Sequence, residues 1–204
     1  MRIIEVGYSM LNVHGNTSRT SIGEIIPYHH KLAPLFIRNS LYSLIPEGTE
    51  HIYVIGIGSN LISGDSLGPF VGTLLQGLYP EHLTVIGNLR SPLDATTITA
   101  ELDSMKPSPN SFVITIDSVL GREDLLNTIV VQNRPLSPGQ GLGHDFPAIG
   151  DCSVMGVVVK KGTSIDSSLL YMNLHLIYTM AVSIAKGISL TIRQYFHYPS
   201  THPI

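Results

Sequence analysis

The chain has one cysteine, Cys152, no tryptophan and few charges, and each shortage removes a class of explanation. A lone cysteine excludes an intrachain disulfide and any multi-cysteine zinc site, so stability has to come from a packed core. Charged residues make up 13% of the 204, about half the ~25% usual for soluble domains, while hydrophobic residues reach 43%. That is not the composition of a disordered chain. Twelve Lys and Arg against fifteen Asp and Glu give a formal charge of −3 with no long run of one sign. This leaves no electrostatic footprint for nucleic acid or an anionic membrane. No run approaches the roughly 18 apolar residues of a membrane helix, and the start MRIIEVGYSM lacks the basic-then-apolar layout of a signal peptide. The expectation is a soluble protein in a reducing, cytoplasmic setting.

What is present amounts to one domain, long enough to bury roughly two-thirds of its unfolded surface. Residues 1–27 open with an apolar run at 3–6 and turn polar through Asn12, His14, Gly15 and Asn16, which reads as an arm outside the core. Leu32, Leu35, Phe36, Leu41 and Leu44 trace one stripe of a helix between His29 and Leu44, with Pro34 tolerated only in its first turn. From residue 51 onward, apolar runs of strand length (51–57, 83–86, 111–116) alternate with helical spacing (70–79, 97–105). Pro69 starts the first of these helices and Pro107 ends the second. Such alternation predicts parallel strands buried between helices. Further strands are expected at 128–132 and 154–159, around a Gly/Pro-rich loop at 135–150. Leu170, Leu174, Ile177, Ala181, Ile184 and Ile188 predict one long amphipathic helix over 167–195, with Asp166 or Ser167 as its N-cap. The tail 197–204 reads as loose. The fold expected is α/β, a three-layer α/β/α sandwich with a mostly parallel sheet of the phosphorylase/hydrolase kind. An extension and helix over 1–50 would pack on an α/β domain over 51–196.

The segment GIGSNLISGDSLGP at 56–69 runs from strand into helix, where open α/β sheets hold their ligands. As a dinucleotide fingerprint it lacks the third glycine, and no acid follows the next strand at Gly87 and Asn88. As a serine elbow, GDSLG at 64–68 has the right letters, but Ser66 stands well beyond the end of the strand and no C-terminal D-x-x-H follows. The third reading makes Asp65 the reactive group, beside a helix N-terminus that favours its charged form. Against it stands simple capping by Asp65 or Ser66. Asp117 shifts that balance. It follows an apolar strand directly, and an aspartate at the carboxyl end of a buried parallel strand projects into the same crevice as the loop of the neighbouring strand. Two converging carboxylates cannot both ionise easily, so they can share a proton or hold a metal with a histidine.

GIGSNLISGDSLGPFVG at 56–72, ITIDSVLG at 114–121 and PLSPGQGLGHDFPAIGDCSVMGVV at 135–158 are, in this order, similar to the YyaC-type spore proteins. These are relatives of the germination protease that degrades small acid-soluble spore proteins. The resemblance covers about 53–196; the first two blocks more distantly resemble the hydrogenase-maturation endopeptidases, which share a three-layer fold. It implies an aspartate-dependent endopeptidase of sporulation or germination, housed in the spore or forespore. Its substrate would be a protein or peptide such as small acid-soluble spore proteins, and no cofactor would be required. Catalysis would fall to Asp65 and Asp117, and substrate binding to Ser66, Gly139, Gly141, Gly143 and His144. Should a divalent metal take part, Asp65, Asp117 and His144 would hold it. The alternative is a non-catalytic sporulation protein that binds a peptide or partner through the same crevice. Residues 1–50 could cover that crevice or mediate association into a homo-oligomer, and the sequence leaves both open.

Other candidates read more simply. Cys152 with His144 could make a thiol and base, but a lone cysteine among apolar neighbours is usually packing. His175, His29 and His30 read as surface or core histidines, Asp151 as a turn residue able to support the pair, and Asp94 as a turn or cap.

Overall fold

The structure, a computed structural model, describes residues 18–20, 23–138, 147–161 and 172–199. Its strands are β1 (Ser18–Thr20), β2 (Gly23–Pro27), β3 (His51–Gly56), β4 (Leu83–Ile86), β5 (Ser111–Gly121), β6 (Thr128–Gln132) and β7 (Cys152–Lys160). They form a single sheet in the order β1-β2-β6-β7-β5-β3-β4. The run β7-β5-β3-β4 is parallel, and antiparallel steps add β6, then β2, then β1. Two successive reversals bring β2 back to the common direction, so five of the seven strands point the same way and only β6 and β1 oppose them.

Helices cover both faces. On one side lie α1 (Ala33–Tyr42), α2 (Leu67–Leu75) and α4 (Leu174–Tyr195), packed with Ile52, Val54, Ile114, Ile116 and Val154. On the other, α3 (Ile98–Ser104) and loop residues Leu93, Leu136 and Ile149 pack with Ile55, Val113, Val130, Met155 and Val157. The alternation of side chains along each strand feeds the two layers separately, giving the three-layer sandwich. By length and a mean hydropathy of 1.3, α4 could cross a bilayer; 56% of that window is instead buried in the core. Pro34 sits in the first turn of α1, where its missing N–H costs nothing.

Four expectations are corrected. Residues 23–27 are not an arm: β2 pairs with β6 and buries Ile26 completely, giving the apolar β6 a partner on its outer side. β5 does not stop at Ile116, because β7 runs beside it through Asp117↔Met155 and Ser118↔Gly156 as far as Gly121↔Lys160. α4 starts at Leu174, where the Asn173 side chain accepts from the His175 and Leu176 N–H groups; Asp166 and Ser167 lie outside the described residues. The tail is held as far as Tyr198, whose hydroxyl meets His82 Nδ1 at 2.7 Å while His82 stacks on Phe196.

Candidate active site

Asp65 is placed by a loop that crosses the carboxyl edge of the parallel strands. After β3, the Gly58 N–H donates to the Leu93 carbonyl at 3.0 Å, and the Ser59 N–H donates back to the Asp65 carbonyl at 3.1 Å. Gly58 has φ +136°, and a β-carbon on it would overlap the Asp65 carbonyl oxygen. A side chain is excluded there on two counts, conformation and space. One turn of 3-10 helix, Ser63–Asp65, then leads into α2, which starts at Leu67 rather than at Phe70. No side chain caps α2, so neither Asp65 nor Ser66 is spent on that task.

Ser66 was expected to touch substrate. It is 4% exposed, and its hydroxyl donates to the Ser59 and Ile62 carbonyls at 3.0 and 2.8 Å. It ties the loop shut beneath Asp65 and has no free face for substrate or for nucleophilic attack.

Asp117 lies inside β5, one residue beyond the last β3–β5 register pair, Gly56↔Ile116. Strand alternation puts it on the same face as Val113 and Val119, the α3 face. It is 2% exposed; Oδ1 accepts from its neighbour's N–H, that of Ser118, at 2.7 Å, and Oδ2 has no hydrogen-bond partner among the described residues. A buried carboxylate oxygen without a donor is costly to ionise. Burial therefore pushes Asp117 up to about 8, the Asp65 charge adds to the rise, and the Ser118 N–H works against it. Asp65, only half-buried by surface, is likewise pushed up to about 6, first by burial, with the Ser59 N–H opposing and the Asp94 charge adding. Loss of water around Asp65 thus acts against the charged form that the helix N-terminus was expected to favour. The charge of Asp65 bears on the protonation of Asp117.

The remaining candidates fall into place around this pair. Asp94 caps the turn before α3: the Thr96 hydroxyl donates to its carboxylate at 2.6 Å and the Thr96 and Thr97 N–H groups at 2.9 and 3.2 Å, which lowers its pKa. Asp151 accepts from the Val113 N–H at 2.8 Å and so closes the start of β7 onto β5. Cys152 is fully buried, and burial together with the Asp151 charge pushes its thiol up, so it packs rather than reacts. His175 is exposed at the start of α4 and His29 is exposed before α1, while the His30 ring nitrogen Nδ1 accepts from the Leu32 N–H. Gly139, Gly141, Gly143 and His144 lie outside the described residues.

Sequence reasoning missed the supports. Gly56, Gly68, Gly72 and Gly87 meet where α2 passes over the ends of β3 and β4, each leaving no room for a β-carbon against the backbone of another. The signal was present as glycines four apart at 68 and 72, beside one ending each strand. Leu93, which bridges Ile57 and fixes the loop from the other side, gave no signal at all.

These features define a three-layer α/β protein with a buried and a half-buried aspartate at the carboxyl edge of its parallel strands. The chain belongs to the family described as protein of unknown function, DUF1256, whose pattern matches residues 25–187. It is 33% identical over 163 residues to the uncharacterized protein YyaC of Bacillus subtilis (strain 168), covering 79% of this chain and 80% of that one. Among solved structures it is similar to a NiFe hydrogenase maturation protease, HycI, from Thermococcus kodakarensis KOD1. The identity is 16%, the coverage 74% of this chain and 97% of that one, and the TM-score 0.48. It is also similar to the hydrogenase maturating endopeptidase HYBD from E. coli, at 13% identity, coverage of 71% and 93%, and a TM-score of 0.44.

No group of three His, Cys, Asp or Glu among the described residues could hold a metal ion. Asp65 and Asp117 offer two carboxylates, one protein ligand short of the three usual at a catalytic zinc, and the histidine expected to complete such a set, His144, lies outside the described residues.

Proposed function

We propose that this protein is an aspartate-dependent endopeptidase of the spore or forespore, acting on small acid-soluble spore proteins or similar protein substrates. The observation that carries the reading is the pair Asp65 and Asp117, both raised by burial, with the Asp65 charge raising Asp117 and neither side chain spent on capping α2. Around neutral pH the more buried Asp117 holds the proton while Asp65 is largely ionised. Asp65 then acts as general base on a water that attacks the peptide carbonyl, and the proton held by Asp117 is returned through the pair to the leaving amine. The water oxygen bonds to the carbonyl carbon, the C–N bond breaks, and the products are a carboxylic acid and an amine. Gly139, Gly141, Gly143 and His144, which fall between β6 and β7 in the sequence, would line the substrate.

A second reading is favoured by one observation, the 2% exposure of Asp117. A carboxyl so deep serves equally in a non-catalytic protein that binds a peptide or partner through the same crevice. Mass spectrometry of small acid-soluble spore proteins incubated with the protein separates the two. Cleavage that disappears in Asp65→Asn and in Asp117→Asn supports the peptidase, and the same incubation with a chelator reports on metal. Intact substrate with folded wild-type protein contradicts the substrate assignment and favours the binding reading.

A further inference from the structure

α1 and α4 cross so closely at Gly187 that a β-carbon there would press on Ile37 and on the Pro34 carbonyl oxygen. On the outer side of this helix pair is a cavity of about 270 Å³ lined by Leu35, Arg38, Leu190, Arg193, Gln194 and Tyr198. Two half-buried arginines share it. Arg38 is anchored through Nη1 on Gln194 Oε1 at 2.7 Å, whereas among the described residues Arg193 donates to the Pro199 carbonyl at 3.4 Å and its buried Nε–H meets no acceptor. No carboxylate among the described residues forms an ion pair with either. The ion pairs there are Arg122–Asp124 and Lys160–Glu123. Glu81 acts on the Tyr198 hydroxyl but pairs with neither arginine.

Arg193 alone has a plain explanation, since a cation in the last turn of a helix complements its dipole. That does not explain why Arg38, on a different helix, lines the same cavity. Packing of α1 on α4 brings two like charges to one cavity, and among the described residues no carboxylate forms an ion pair with either. An anion bridging both forks relieves that arrangement, and guanidinium geometry matches carboxylate and phosphate oxygens. Leu35, 39% exposed, with Leu190 and the Tyr198 ring supplies an apolar wall.

We propose that this cavity binds a small organic oxyanion, a phosphate ester or carboxylate whose carbon body packs on Leu35, Leu190 and Tyr198. Its volume, just below the ~300–1,000 Å³ of drug-sized pockets, sets the scale of the ligand. The site is separate from the aspartate pair. Ser63 Oγ donates to the Met172 carbonyl at the start of α4, and a rise of ~1.5 Å per residue puts Arg193 roughly 30 Å further along. It therefore stands whether or not the protein is a peptidase.

Isothermal titration of the full chain with phenyl phosphate, inorganic phosphate and benzoate tests it. Phenyl phosphate is expected to bind one per chain and more tightly than inorganic phosphate. Arg38→Gln and Arg193→Gln should each weaken it about tenfold, the loss of one charge-assisted pair of hydrogen bonds. Arg122→Gln should leave it unchanged, and circular dichroism checks that each variant is folded. Benzoate binding on a par with phenyl phosphate assigns the site to carboxylates, and much weaker binding assigns it to phosphate esters. No saturable heat from any of the three probes overturns the proposal, as does binding that survives Arg38→Gln in a folded protein.

Discussion

Gly58 lies directly against Asp65, in a backbone conformation with φ +136° that leaves no room for a β-carbon beside the Asp65 carbonyl oxygen. The segment that carries Asp65 is thus held by a backbone contact that only glycine permits. Gly58→Ala should lower the unfolding free energy by about 2 kcal/mol or more, the sum of strain and displacement of the loop. Gly77 also has a positive φ, +78°, but open space around it, so Gly77→Ala should cost about 1 kcal/mol or less. Urea titrations of both variants measure the difference, and any hydrolytic activity should be lost in the first only.

Ser66→Ala removes a hydroxyl that ties two loop carbonyls. The expected result is about 1 kcal/mol of lost stability and a several-fold fall in activity, not its abolition. Complete loss of turnover in a folded Ser66→Ala protein would instead restore the serine-nucleophile reading of GDSLG.

Stability should depend on pH through Asp117. Its folded-state pKa lies near 8 against an ordinary 3.8, so the folded protein keeps a proton that the unfolded chain releases. Stability is therefore undiminished below about pH 4 and falls as pH rises towards 8, by at most about 1.4 kcal/mol per pH unit. Asp117→Asn carries no such proton. Thermal melts from pH 4 to 8 should show a flatter profile for this variant and a higher Tm than wild type at pH 8, with the gap closing towards pH 4.

Any hydrolysis should require the pair to be singly protonated. Activity should rise as Asp65 ionises near pH 6 and fall as the pair loses its second proton near pH 8, giving a maximum between them. A rate profile over pH 4–10 tests this. A plateau extending to pH 10 would contradict a shared proton.

The layered α/β fold was legible because buried parallel strands leave apolar runs such as 51–56 and 111–116, and because α4 carries a long helical stripe. Boundaries failed where tertiary contacts overrode local signals. Five residues with two adjacent isoleucines, GEIIP, do not announce a strand; β2 exists because β6 has an edge to cover. Asp117 reads as a strand terminator by propensity, yet the strand continues because β7 supplies partners on its far side.

That Asp65 and Asp117 follow neighbouring parallel strands was legible in the sequence. Their protonation was not. A helix N-terminus can be read from Pro69 and the preceding loop, but the loss of water around a carboxyl depends on everything packed against it. Ser66 misled for the same reason: a hydroxyl beside a reactive group reads as functional until its two carbonyl partners, Ser59 and Ile62, are seen.

The most direct test is a carbon-13 NMR titration of the aspartate side-chain carboxyls, with Asp65→Asn and Asp117→Asn used to assign the signals. Two raised and mutually dependent transitions should appear, the Asp117 signal titrating well above pH 6 in wild type and shifting lower in Asp65→Asn. An Asp117 signal that titrates near pH 4, unmoved by substitution of Asp65, would contradict the shared proton and with it the proposed chemistry.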